Sequence, residues 1–183
     1  MKTIERLRKE LGGIHPLAAN KVKSCLEPYT QAFIENASFA VVASADSSGN
    51  CDASPRGGKP GFTKVIDEKT LVMPDVGGNR LFQSFENFDS NPKAGFVFMI
   101  PGMDVTVRVN GAVKTLGKPK LTDFGVTSCV HSPDEGAILV QGLEICIDEV
   151  YFHCPRSFQF ADLWNTETIA RNRRRSLKSL KVD

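Results

Sequence analysis

Short apolar segments separated by turn-forming residues constrain the fold of this chain more than any other feature. The turn formers DSSGN of residues 46–50 separate two extended segments, and prolines and glycines interrupt residues 55–61. Because most of these connections are too short to hold a crossover helix, neighbouring strands are expected to run antiparallel. The predicted strands cover residues 39–45, 51–54, 62–66, 71–73, 94–100, 106–116 and 137–152.

Residues 106–116 (TVRVNGAVKTL) show the strand pattern most clearly. Val107 and Val109 recur with a period of two and are expected to face a core, whereas Arg108 and Asn110 point the other way. Gly111 marks a bulge or a close approach of two backbones. The pattern predicts a mainly β protein, an antiparallel barrel with flanking helices.

The N-terminal residues have helical rather than extended periodicity. Helices are predicted over residues 3–11 and 17–36, and Pro28 should kink or split the second one. The residues expected to form its buried stripe are Val22, Cys25, Leu26, Tyr29 and Phe33. We expect three regions, namely a helical segment packed on the barrel (residues 1–36), the barrel domain (37–166) and a basic tail (167–183).

Composition excludes several functional classes. A net charge of +2 argues against a nucleic-acid binder with a broad basic face, and the basic run of residues 171–181 is expected to be a solvated tail, with a weak anionic partner left open. No apolar run is long enough for a membrane helix, and the N-terminus lacks a secretory core. With five cysteines and no Cys-x-x-Cys spacing, we expect free thiols and a cytoplasmic protein.

Residues 71–102 contain the most suggestive functional pattern. After a short strand, Gly77 and Gly78 allow a tight bend, Asn79 is predicted to cap a helix, and Arg80 would lie in its first turn. A cation at a helix N-terminus, together with free N–H groups, suits a phosphate. The alternative is that Arg80 is a solvated surface residue. The same helix is expected to bury its aromatic residues, which are Phe82, Phe85 and Phe88.

Five motifs in order resemble a known family. They are Ser54-Pro55-Arg56-Gly57, Gly78-Asn79-Arg80-Leu81, Asn91-Pro92, Arg108-Val109-Asn110-Gly111 and His153-Cys154-Pro155-Arg156. This order is similar to that of the pyridoxamine 5'-phosphate oxidase-like FMN-binding split-barrel family, in its branch with Ser-Pro-Arg-Gly and His-Cys-Pro-Lys/Arg motifs. The resemblance extends from about residue 33 to residue 164.

The resemblance implies a six-stranded antiparallel Greek-key split β-barrel that forms a homodimer and binds FMN at the subunit interface. It implies that Asn79 and Arg80 contact the phosphate, and that Thr106 and Arg156 add further contacts, the latter across the dimer. The residues that would line the flavin ring or ribityl chain are Ser54, Pro55, Arg56 and Gly57. The implied function is an FMN-dependent oxidoreductase with a small-molecule substrate or an electron donor such as NAD(P)H.

The chain also departs from the family. True pyridoxamine phosphate oxidases have an Arg-x-x-x-x-Lys strand that holds the substrate, and residues 52–57 lack the matching lysine. Residues 158–165 likewise lack the C-terminal tryptophan-and-arginine signature. These departures argue against pyridoxamine phosphate oxidation itself and leave two alternatives open. The first is a non-catalytic flavin- or haem-binding protein, and the second is a deazaflavin in place of FMN.

A metal site is the remaining alternative. Cys129 and His131 would offer two ligands, and His153 and Cys154 two more, if the two segments met. Their spacings differ from those of zinc knuckles, and cysteine is often a small buried apolar residue. We therefore expect no metal, and no catalytic acid or nucleophile stands out in the sequence.

Overall fold

The chain forms seven β-strands in the computed structural model, which describes residues 2–78, 80–127, 129–131 and 137–176. All pairs are antiparallel, and the strands lie in the order β2-β1-β5-β6-β7-β4-β3 within one sheet. Their bounds are β1 Phe39–Ala45, β2 Cys51–Gly57, β3 Lys64–Val65, β4 Thr70–Val76, β5 Lys93–Met99, β6 Thr106–Gly117 and β7 Leu139–His153.

Period-two alternation places the core on one face of this sheet. Val107 and Val109 are fully buried and Val113 nearly so, while Arg108 is exposed on the opposite face, as the sequence predicts. Phe96 and Phe98 of β5 are also fully buried, and their rings stack with centroids 6.3 Å apart. The mainly β fold class is confirmed, and the sheet has seven strands where the family resemblance implies six. The predicted strand over residues 62–66 is shorter, since β3 has two residues.

Strand β2 is longer than the sequence indicates. We expected Pro55 to end regular structure, but β2 continues to Gly57, and Pro55 lies opposite Val41 of β1. The prediction was wrong because β2 is an edge strand, paired only with β1. A proline has no N–H to donate, and it is tolerated where that side of the strand has no partner.

The sheet is rolled, because its edge strand β2 lies beside β4. Four strands separate these two in the sheet order, so in a flat sheet they would be about 24 Å apart. Yet Nε of Arg56 on β2 lies 2.8 Å from Oδ1 of Asp75 on β4. The described residues of β2 and β4 share no backbone ladder, and this seam makes the barrel a split one.

Seven helices flank the sheet within the described part of the chain. They are α1 Thr3–Leu11, α2 Pro16–Ala19, α3 Pro28–Asn36, α4 Gln83–Ser90, α5 Lys118–Asp123, α6 Arg156–Phe160 and α7 Thr166–Arg173. None of these described helices combines the length and the apolar character that a membrane crossing requires.

The first part of the predicted basic tail forms helix α7, and residues 177–183 of that tail lie outside the described residues.

The predicted helix over residues 17–36 is instead two separate helices. Pro28 occupies the first turn of α3, where its missing N–H costs nothing, and residues 20–27 are not helical. Leu26 and Phe33 are buried as expected, but Tyr29 is 82% exposed and Val22 44%. Of the N-terminal helices α1 and α3, α3 buries residues against the barrel, whereas α1 buries none.

Helix α4 begins three residues later than Arg80. Arg80 and Phe82 both have positive φ angles, 63° and 53°, which a right-handed helix cannot include. Phe82 is the N-cap instead, and its carbonyl oxygen accepts hydrogen bonds from the backbone N–H groups of Phe85 and Glu86 at 2.8 and 3.0 Å. Phe88 is buried, but Phe82 is 46% exposed and does not belong to the buried face of α4. Asn79, the predicted cap, lies outside the described residues.

We predict that Gly111→Ala destabilises the fold by about 1–3 kcal/mol. Gly111 sits at the bulge between β6 and β7, where an added Cβ would overlap the carbonyl group of Cys146. Chemical denaturation of both proteins measures the difference in unfolding free energy. Gly13→Ala is the matched control, since a Cβ there meets no atom within 4 Å, and its effect should be within about 0.5 kcal/mol. Equal stability of the Gly111 variant and the wild type would contradict the close approach.

Candidate functional site

A cavity of about 340 Å³ lies at the seam of the barrel. Its walls come from β2, the end of β4, the residues leading into α4, and the segment at Cys129 and Val130. Because β2 and β4 share no backbone ladder, their side chains rather than their backbones meet across this gap. The seam therefore leaves space that a closed ladder would fill.

The inner face of β2 is polar, in contrast to the largely apolar inner face of its neighbour β1. Asp52, Ser54 and Arg56 alternate along the strand, are each half-buried and line the cavity. Across the ladder, Ser54 and Arg56 lie opposite the fully buried Val42 and Ala40 of β1. Half-buried polar groups need partners, and these three side chains find them within the chain while they face the cavity rather than the apolar core.

Arg56 is held in one orientation by three acceptors. Its Nη1 donates to Oγ of Ser54 at 2.5 Å and to the carbonyl oxygen of Pro55 at 3.0 Å. Its Nε lies 2.8 Å from Oδ1 of Asp75, and both side chains of this ion pair are 16% exposed. A guanidinium fixed in this way loses little further entropy when it binds a ligand.

Burial raises the pKa of Asp75 above its usual range, and the charge and hydrogen bonding of Arg56 only partly oppose this effect. The loss of hydration therefore raises the pKa of Asp75 more than its single cationic partner, Arg56, lowers it. A carboxylate in this position would be stabilised by one more hydrogen-bond donor.

A second carboxylate occupies the N-terminal end of α4. The hydroxyl of Ser84, the second residue of α4, donates to Oδ2 of Asp52 at 2.5 Å. An acidic group is favourable there because the N-terminal N–H groups and the helix dipole carry partial positive charge. The start of α4 thus faces a carboxylate of the chain itself, which is not the arrangement that the sequence suggested for a phosphate.

Arg80 lies at the mouth of the cavity and is exposed. Within the described part of the chain it has no ion-pair or hydrogen-bond partner, whereas Arg56 is paired. Gly77 and Gly78 line the same part of the wall. Arg80 is therefore a cation that can pair with an anionic ligand at this edge of the cavity.

The loop after β2 requires glycine at position 58. The backbone N–H of Gly58 donates to the carbonyl oxygen of Ser38 at 3.0 Å, and that of Lys59 donates to the carbonyl oxygen of Cys129 at 2.8 Å. A Cβ on Gly58 would overlap the Cys129 carbonyl and the side chain of Phe62. The loop and the Cys129 segment therefore pack together and close one side of the cavity.

The structure brings together most of the described residues that the sequence pointed to. Ser54, Pro55, Arg56, Gly57 and Arg80 line the cavity. Their predicted role in FMN binding stays a prediction.

Two of the predicted residues do not line this cavity. Thr106 is buried at the start of β6, where it pairs with Met99 and His153. Arg156 begins α6, and its guanidinium lies 5.1 Å from the ring centroid of Phe160. Their predicted contacts with the cofactor stay predictions.

Asp52, Asp75 and Ser84 are cavity residues that sequence reasoning missed. The alternation of polar residues in CDASPRG was a usable signal for Asp52. No such signal marked Asp75, because its contact with Arg56 depends on how the sheet rolls. Among the described residues, no group of three or more His, Cys, Asp or Glu side chains is placed to hold a metal ion, and all five cysteines are free.

Solved structures with the same fold are distant in sequence. A candidate pyridoxamine 5'-phosphate oxidase from Lactobacillus delbrueckii is 17% identical with a TM-score of 0.52, over 72% of this chain and 98% of that one. A histidine-to-alanine variant of HupZ from Group A Streptococcus is 16% identical with a TM-score of 0.50, over 69% and 98%. An FMN-binding protein from Syntrophomonas wolfei is 13% identical with a TM-score of 0.50, over 68% and 84%. These similarities establish the fold alone.

Sequence comparison identifies the family. No curated protein sequence matches this chain significantly. The sequence profile of the pyridoxamine 5'-phosphate oxidase family matches residues 26–154, which include every strand and all the cavity walls described above. The chain therefore belongs to the pyridoxamine 5'-phosphate oxidase family.

Proposed function

We propose that this protein is an FMN-dependent oxidoreductase that binds FMN in the seam cavity. The observation that carries the proposal is the meeting of the Ser54–Gly57 strand segment with the unpaired Arg80 in one cavity. The family assignment and the similarity to a solved FMN-binding protein support it. The proposed substrate is a small molecule, and the proposed electron donor is NAD(P)H. We propose that the protein acts in the cytoplasm.

The donor set of the cavity fits FMN. A phosphate needs a cation, which Arg80 offers, and an N–H donor, which the backbone of Gly78 offers. The N–H of Gly77 already donates to the carbonyl oxygen of Ile138 at 2.9 Å. A flat ring needs apolar walls with a few polar groups at its edge. The apolar lining residues are Phe62, Pro74, Val76, Leu81, Phe82, Phe85 and Val130. When bound, FMN supplies the redox chemistry in its own ring, and the protein binds, orients and shields it.

The charges of the cavity indicate that one chain forms only part of the site. Its lining has two arginines and two aspartates, which leaves no net charge for a phosphate that is close to doubly negative. Arg56 is paired with Asp75, so Arg80 is the available cation. We infer that a second copy of the chain adds positive charge, and Arg156 is the residue that the family resemblance suggests.

The outer face of the sheet is the proposed dimer interface. On β2, β1 and β5 the outward side chains are largely apolar, and Phe39 is 37% exposed. These outward residues are Pro55, Val41, Val97, Phe39 and Met99, all on the face opposite the core. Thr106 and His153 continue the row of Phe39 and Met99 on β6 and β7. We propose that a second copy covers this face, and that Arg156 then lies close to its partner's cavity.

Absorption spectroscopy and mass spectrometry of the purified protein test the proposal. We expect a yellow protein from which FMN is released on denaturation, whose colour bleaches with NADPH or NADH and returns in air. Colour that neither nucleotide bleaches would favour a flavin-binding protein without turnover. A colourless apoprotein that takes up no added FMN would overturn the proposal.

We predict that Arg80→Gln weakens FMN binding about ten- to hundredfold, because one charge-assisted contact with the phosphate is lost. Glutamine keeps most of the side-chain length and removes the charge at this positive-φ position. Fluorescence titration of apoprotein with FMN measures the dissociation constant. Arg8→Gln, an exposed arginine on α1, is the control and should bind FMN as the wild type does. An unchanged affinity in the Arg80 variant would remove this residue from the site.

We predict that Val97→Lys converts a dimer into a monomer and also weakens FMN binding. The new lysine would sit beside Arg108, which is opposite Val97 on the outer face, and would bring an unpaired charge into the interface. Light scattering coupled to size-exclusion chromatography measures the mass. Leu11→Lys, at an 80% exposed position on α1, should stay dimeric. A wild type that is monomeric at micromolar concentration would contradict the proposed interface.

A further inference from the structure

We propose that Asp75 and Arg56 together recognise a ring edge that carries an N–H group next to a carbonyl, which in FMN is the imide edge of the flavin ring. The inference rests on the proposed function and goes beyond it, since it assigns Asp75 a role in ligand specificity. It follows from the hydrogen-bonding capacity that this pair leaves unused.

Arg56 has donors to spare, and their direction is fixed. A guanidinium carries five N–H groups, two on each Nη and one on Nε. Nη1 donates to Ser54 and to the carbonyl oxygen of Pro55, and Nε faces Oδ1 of Asp75. No acceptor among the described residues is hydrogen-bonded to Nη2. Because the other nitrogens anchor the plane of the group, Nη2 is a preorganised donor in the cavity wall.

Asp75 has an acceptor to spare. Its Oδ1 lies 2.8 Å from Nε of Arg56, and the hydrogen bonds among the described residues include none to Oδ2. The side chain is only 16% exposed, so water satisfies it poorly. Burial raises the pKa of this carboxyl despite the neighbouring arginine, which agrees with a carboxylate that lacks a donor. A ligand N–H would supply that donor.

The pairing of an unused donor with an unused acceptor selects the chemistry of the ligand. A phosphate or carboxylate only accepts hydrogen bonds, and Asp75 would repel it. An ammonium group only donates, and Arg56 would repel it. A ring imide offers both an N–H and a carbonyl on one edge, so it can satisfy Oδ2 of Asp75 and Nη2 of Arg56 together. The phosphate is then left to Arg80, which has no competing carboxylate partner among the described residues.

The test compares FMN with its analogue methylated at N3, the nitrogen of the imide. Methylation removes the N–H and leaves the phosphate and the rest of the ring unchanged. Titration of wild-type apoprotein should give a dissociation constant for the analogue at least about tenfold higher than for FMN. In Asp75→Ala, which removes the carboxylate and leaves room for the methyl group, the two ligands should bind within about twofold of each other.

Asp89→Asn is the control. Asp89 is an exposed carboxylate on α4 that does not line the cavity, so this variant should keep the tenfold preference for FMN. Circular dichroism and thermal unfolding verify the fold of each variant. If Asp75→Ala does not fold, Asp75→Ser serves in its place, because its hydroxyl is too short to reach the position of Oδ2.

The outcomes separate this inference from the proposed function. If the wild type does not bind FMN, the proposed function fails and the assignment of Asp75 fails with it. If the wild type binds FMN and the N3-methyl analogue equally, FMN binding stands and only the assignment is overturned. A preference that persists in Asp75→Ala would also overturn it, since the methyl group would then be rejected by something else.

Discussion

The ion pair between Arg56 and Asp75 joins two strands that share no ladder of backbone hydrogen bonds in the described part of the chain. Backbone bonds between neighbouring strands hold the rest of the sheet together, but at the seam side chains must do it. A half-buried ion pair gains less than its Coulomb energy suggests, because both groups lose water. Removing one partner would leave the other charge buried and unpaired, which costs more free energy than the intact pair contributes. The pair therefore keeps β2 and β4 side by side.

This constraint explains why the cavity lies where it does. Strand β2 is an edge strand next to the seam, so its inner face borders the cavity. In β2 that face carries Asp52, Ser54 and Arg56, and each has a partner within the described residues. The partners of Asp52 and Arg56 come from α4 and β4, which are the other walls of the cavity. The same contacts thus hold the seam and shape the candidate site.

Local pattern was enough to predict the fold class but not the geometry of the site. Alternation identified Val107 and Val109 as core residues, because the period of a strand depends only on neighbouring positions. The start of α4 was misplaced because the left-handed conformations of Arg80 and Phe82 are rare for such residues and leave no mark in the sequence. Asp75 was missed because four strands separate it from its partner in the sheet order, so its importance depends on the rolling of the sheet.

The fold leaves the chemistry open, since structures with TM-scores of 0.50 to 0.52 share only 13 to 17% of their residues with this chain. Many functions can be built on one fold, so the function must be argued from the residues of this particular cavity. Its distinguishing feature is a balanced set of charges in which Arg56 is neutralised, whereas Arg80 has no ion-pair partner in the part of the chain that the structure describes. A neutralised arginine orients a polar ring edge without attracting every anion, while the unpaired one attracts a phosphate. A ligand with a polar ring at one end and a phosphate at the other satisfies both requirements, and simple anions satisfy only the second.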